Sequence, residues 1–121
     1  MQQMRRIMLA GALTALATSA LAHHGWRWTD GGEFELTGVV LEADLGNPHG
    51  ILTIDAEGET WIAEIGQPWR NERAGLTEAL LAPGTEVTVE GHRSLNPEER
   101  LMKAERVIIA GKTYDLYPER S

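Results

Sequence analysis

From Glu33 onward the apolar residues recur at every second position, change period once, and then return to alternation. In EFELTGVVLEADL (33–45), Phe34, Leu36, Gly38 and Val40 share one face, while Glu35 and Thr37 begin the other. This alternation predicts a long strand, with Gly38 a bend or bulge. The turn GNPHG (46–50) leads to a second strand, ILTIDA (51–56). A tight turn at Glu57-Gly58-Glu59 joins it to a third, TWIAEI (60–65). Then the spacing lengthens. Between Pro68 and Ala82, residues Trp69, Ala74, Leu76, Leu80 and Leu81 suit helical turns, although Gly75 argues against one unbroken helix and Thr77 is a candidate N-cap within the segment. Alternation resumes in TEVTVEG (85–91) and LMKAERVIIA (101–110), and a short TYDLY strand (113–117) follows Gly111-Lys112.

Strand, strand, strand, helix, then two or three strands is the element order of the OB-fold. The predicted fold class is therefore all-β with one helical segment, a small OB-fold-like barrel of five or six strands. Closure also hides strand edges from other chains.

The segment before these strands is of another kind. Arg5 and Arg6 precede an apolar run from Ile7 to Ala17, and Ala20-Leu21-Ala22 fits a small-x-small cleavage pattern. Residues 1–22 read as a secretory signal peptide cleaved after Ala22, leaving 23–121 as one domain. The run is too short for a membrane span, which needs about 20 apolar residues. The expected location is periplasmic or secreted, with no span after cleavage.

Composition narrows the chemistry. The formal charge of −7 becomes more negative by two once Arg5 and Arg6 leave, which disfavours nucleic acid and anionic lipid as partners. The chain has no cysteine, which rules out disulfides, thiolate zinc sites and a cysteine nucleophile. Met102 is the one methionine outside the signal segment, so a thioether site for Cu(I) is not expected.

What remains is imidazole. The four histidines are His23, His24, His49 and His92. His49 lies in the loop between the first two strands, and His92 ends the fourth strand, before the loop RSLNPEER. These loops are the usual ligand-binding loops of the OB-fold. Cleavage after Ala22 gives His23 a free α-amine of pKa about 8, which can chelate one metal ion together with its own Nδ1. One further imidazole, from His24, His49 or His92, would complete a three-nitrogen set of the histidine-brace type, and nitrogen ligands in tetragonal geometry favour Cu(II). Glu64, at the end of the third strand, is a candidate second-shell or axial oxygen. The leader enters the first strand at the end opposite the His49 loop, but the ten residues from His23 to Gly32 could span about 33 Å if extended. Each histidine also has an ordinary reading: a frayed terminus for His23 and His24, a turn residue for His49, and a solvated strand position for His92, which shares parity with Thr88 and Glu90.

Of the tryptophans, Trp61 alternates with Ala63 and Ile65 as core, and Trp69 is expected to pack the helix on the barrel. Trp26 and Trp28 either pin the leader, which would preorganise His23, or form a ligand or partner surface. Ser94 near His92 is a loop neighbour with no positioned acid, and no glycine-rich phosphate loop is present, so no catalytic set is assigned.

The Ala-terminated signal, HHGW, LTGVV, NPH, TWIAEIG with QPW, and RAGLTEALLAPGTEVTVEGH together resemble a family of small exported bacterial proteins catalogued as a domain of unknown function. The resemblance covers nearly all of residues 23–121. It rests most on His23-His24, Asn47-Pro48-His49, Trp61, Glu64 and Gly91-His92; Gly25 stands where the family often has Ser. It implies an exported, OB-like domain and supplies no function. The expectation from residue chemistry is an exported metal-binding protein, handling copper through the His23 chelate and the barrel-loop histidines. Its partners would be the metal ion and another exported protein. The alternative is a non-metal OB module that binds a small molecule, glycan or protein through the same loops, with Trp26 and Trp28 as stacking surfaces.

Overall fold

The computed structural model describes residues 25–120. The expected signal peptide, residues 1–22, and the candidate ligands His23 and His24 lie outside the described residues. Six strands follow the alternating runs: β1 (Phe34–Asp44), β2 (Ile51–Ala56), β3 (Glu59–Glu64), β4 (Glu86–Arg93), β5 (Leu101–Ile109) and β6 (Lys112–Asp115). Their order is β3-β2-β1-β4-β5-β6, and a parallel pairing of β3 with β5 closes the first five into a barrel. This is the OB-like architecture, with β6 appended to β5.

Two-residue turns make the hairpins. Glu57 and Gly58 (φ 54° and 82°) join β2 to β3, and Ala110 and Gly111 (φ 50° and 79°) join β5 to β6. Positive φ at both turn positions matches the right-handed twist of the flanking strands. The inner face holds Val40, Leu52, Ile54, Ala63, Val89, Met102, Ala104 and Val107, all fully buried.

The helical segment divides. Helix α1 (Pro68–Ala74) ends at Gly75, which takes the left-handed conformation (φ 85°), and only a 3-10 turn (Ala79–Leu81) follows. Thr77 Oγ1 accepts a long 3.4 Å bond from Leu80 N in that turn. Two expectations are corrected. Trp69 does not pack α1 on the barrel: it is 50% exposed, with the guanidiniums of Arg70 and Arg73 over its ring at 4.5 and 5.0 Å. Buried Asn71 ties α1 down instead, exchanging two hydrogen bonds with the Gly66 backbone (2.8 and 3.0 Å). Gly38 is also not the bulge of β1. The register shifts between Val40 and Glu42, and Gly38 is where β1 lies too close to the Asp55 carbonyl for a Cβ.

A second bulge matters more for the site. Glu90 pairs with Arg106, but Gly91 pairs with Ala104, so Glu105 is an extra residue in β5. The bulge lets Ala104 and Val107, three apart, both face the core while Glu105 projects outward.

Candidate metal centre

Strand register assembles a polar row on the outer face of the barrel. Glu64 lies opposite Lys103 across β3–β5, and His92 lies opposite Lys103 across β4–β5. Side chains opposite one another on one face are in contact range. On the other side of Glu64 is Ile51, and His49 is two residues earlier on the same face, diagonal to Glu64. Backbone bonds from Gly50 N to Gly66 O and from Ile65 N to Gly50 O, both 2.8 Å, hold the His49 turn at that point.

Contacts follow the register. Lys103 Nζ lies 3.0 Å from Glu64 Oε1, and His49 Nδ1 faces the same oxygen at 3.5 Å. Lys103 is 1% exposed and Glu64 6%. A buried charge is stable only when paired, so each of these two requires the other. His92 donates Nδ1–H to the Gly32 carbonyl at 2.7 Å, since a carbonyl can only accept. Its Nε2 lies 3.6 Å from Glu105 Oε1, while Arg120 Nε donates to Glu105 Oε2 at 3.0 Å.

The leader and the chain's last described residues cover this row. Trp28, Thr29 and Asp30 run antiparallel to the end of β4 through Leu95 N to Trp28 O (2.9 Å) and Asp30 N to Arg93 O (2.8 Å). The Asp30-Gly31-Gly32 turn has a local cause: Asp30 Oδ1 accepts from Gly32 N at 2.7 Å, which aims the Gly32 carbonyl at His92. Trp28 is 8% exposed. Trp26 meets His92 edge-on at 5.7 Å and Tyr117 at 5.1 Å, under Lys103 Nζ at 4.9 Å and Arg120 at 3.9 Å. Tyr117 in turn stacks under Arg70 (4.2 Å), which also bonds the Leu116 carbonyl and Glu119. Burial pushes the Tyr117 phenol above its ordinary pKa. The backbone N–H of Glu119, aided by Arg70, holds that carboxyl below its ordinary range.

The structure thus links His49 to Glu64, Glu64 to Lys103, Lys103 to Trp26 and Trp26 to His92. Among the described residues, one trio of metal-ligating side chains has ligand atoms mutually within 4.8 Å, and it is Glu33, His92 and Glu105, without His49. Sequence reading did not single out Lys103, Glu105, Tyr117, Arg120 or Glu33. Lys103 and Glu105 alternate with Met102 and Ala104 and so look like a solvated strand face; only the covering leader and tail bury them. The one signal was the broken alternation in MKAERVI, which marks the bulge.

Residues 11–101 match the model of a family described as "Family of unknown function (DUF6152)". No curated protein matches the chain. Among solved structures, the S. pombe Stn1-Ten1 complex is similar at a TM-score of 0.52 and 16% identity, covering 66% of this chain and 59% of that one. The ZRD-deleted mutant of TiaS in complex with agmatine matches at a TM-score of 0.49 and 21% identity, covering 69% of this chain and 26% of that one. The chain therefore spans less than two thirds of either structure, and its likeness to the Stn1-Ten1 complex is one of fold alone. Among the described residues, no helix is long and apolar enough to cross a membrane.

Proposed function

The chain belongs to the DUF6152 family, and we propose that it is an exported metal-binding domain that handles copper through its N-terminal leader. In this reading, cleavage after Ala22 frees the α-amine of His23. That amine and His23 Nδ1 form the chelate, and His49 supplies the third nitrogen. His24 is the substitute ligand, and Glu64 orients His49 through Nδ1, as carboxylates do for ligating imidazoles. His92 has Nδ1 engaged by Gly32 and Nε2 turned to Glu105, and it stands outside this set.

One observation carries the reading. Trp26 is fixed over Lys103, whose ammonium binds the same Glu64 oxygen that faces His49. His23 precedes Trp26 by three residues, a reach of about 10 Å when extended. That reach would bring His23 to the His49 side of the barrel, and a fixed Trp26 would remove much of the entropy cost of bringing a chain end to a metal. Three nitrogens with an oxygen nearby suit Cu(II).

The test is the native exported protein. Purified from the periplasm or medium, it should begin at His23 and contain about one copper per chain. EPR should show hyperfine structure from three nitrogens. A different first residue, or copper bound without nitrogen hyperfine structure, would remove the chelate.

A second reading, a non-metal module that binds a partner, has one observation in its favour. A cleft of about 280 Å³ beside the β4–β5 loop is lined by Trp28, Ser94, Leu95, Asn96, Glu99 and Leu101, and Leu95 is 62% exposed. Trp28 forms the wall of that cleft and offers little stacking face, being 8% exposed.

A further inference from the structure

We infer that Glu33, His92 and Glu105 form a second metal site, for a divalent ion with borderline nitrogen and oxygen preference such as Zn(II), separate from the leader chelate. The argument begins with the tautomer of His92. Gly32 O can only accept, so Nδ1 carries hydrogen and Nε2 is the ligating position. This arrangement, a backbone carbonyl holding one ring nitrogen so that the other points outward, is the usual support of a metal-bound histidine.

Nε2 faces Glu105 Oε1, a buried oxygen with no hydrogen-bond partner. The other oxygen of that carboxylate is fixed by Arg120, so Oε1 is held in place and not turned to solvent. Buried carboxylate oxygens are rarely left in this state. A proton shared between Nε2 and Oε1 would draw them to about 2.7–2.9 Å. They are 3.6 Å apart. Two ligands bonded at about 2.1 Å to one tetrahedral ion are separated by about 3.4 Å, much closer to what is observed.

Glu33 completes the trio. It is exposed, and one of its oxygens lies within 4.8 Å of the other two ligand atoms, so it gives the ion a route from solvent and a third ligand that closes by side-chain rotation. The charges are consistent. Glu33 and Glu105 supply two negative charges against Arg120, and the ammonium of Lys103 nearby is already paired with Glu64. The bulge that projects Glu105 beside His92 is what builds the site, and bulges commonly re-aim side chains in this way.

The test uses Zn(II) and a chain whose leader histidines are replaced, H23A/H24A, so the first chelate cannot contribute. Zinc should bind at one equivalent, read by competition with a chromophoric chelator and by a change in the fluorescence of Trp26, which touches His92. E105Q and H92Q should each weaken binding at least tenfold. H49A should leave it unchanged. Because E105Q could disturb packing, E33Q serves as the exposed variant: it should retain the wild-type melting temperature and still lose about tenfold. H23A/H24A that binds no zinc, or E33Q and E105Q that bind as tightly as their parent, would overturn the site. The chelate is judged separately, since only copper affinity responds to the N-terminal residue.

Discussion

The ammonium of Lys103 sits 3.0 Å from Glu64 Oε1 with both side chains buried, on the outside of a barrel whose interior is wholly apolar at the same level. K103M leaves the Glu64 carboxylate buried without its cation, and E64Q leaves the ammonium without its anion. Each should cost about 3–5 kcal/mol, whereas the double variant K103M/E64L should be less destabilised than either single one. Urea unfolding of the three variants measures this. Single variants within about 1 kcal/mol of the parent would mean that solvent reaches the pair.

Gly91→Ala should be among the most damaging small substitutions in the chain. A Cβ at this position would meet the Lys103 carbonyl oxygen, which is backbone and cannot rotate away. The β4–β5 register depends on that close approach, so the bulge carrying Glu105 should be lost with it. The expected destabilisation is about 3 kcal/mol or more. The predicted sign is a lower denaturant midpoint, together with loss of zinc binding.

Trp26→Ala and Trp69→Ala should behave oppositely. Trp26 has edge contacts to His92 and Tyr117 and two cations over its ring, so its removal should cost about 1–2 kcal/mol and make the leader sensitive to protease. Trp69 is half exposed on a short helix, and its removal should change stability by no more than about 0.5 kcal/mol. Chemical denaturation with limited proteolysis separates the two.

These contrasts show which parts of the chain can be read without its structure. The barrel was legible because alternation in 33–45, 51–56 and 85–91 and the turn at Glu57-Gly58 are local facts, and the helix after the third strand fixes the order. Trp69 was misplaced because helical spacing says which residues share a face and not which face the barrel covers. The site was less legible. His49 and His92 stood out by residue type, and Glu64 by its strand-end position. Lys103 and Glu105 did not, because a charged residue every second position reads as solvated until the leader and the tail are laid over it. Tyr117 looked like the end of a strand. In the structure it leaves β6, as Leu116 N and Tyr117 N both turn to the Glu105 carbonyl (2.9 and 3.2 Å), and this brings its ring to Trp26.

Tyr117 gives a pH prediction. Burial raises its pKa above the ordinary tyrosine value of about 10, so the folded chain holds the phenol proton more tightly than the unfolded chain. The stability contributed is complete below about pH 10 and is lost as pH rises through the folded value. Tyr117→Phe should abolish the phenolate absorbance transition that lies above the ordinary tyrosine range and flatten the alkaline fall in stability. A Tyr117 transition at or below the ordinary tyrosine value would contradict its burial beneath Arg70 and Trp26.

In the proposed function, cleavage turns the leader into a ligand and Trp26 delivers it to the barrel. Cu(II) affinity measured by competition for two forms of the folded protein, one beginning at His23 and one with a single additional residue before it, tests this most directly. The extra residue removes the α-amine from the chelate and leaves every described contact in place. The form beginning at His23 should bind at least a hundredfold more tightly, with the difference lost in H23A. Equal affinity for the two forms would contradict the claim.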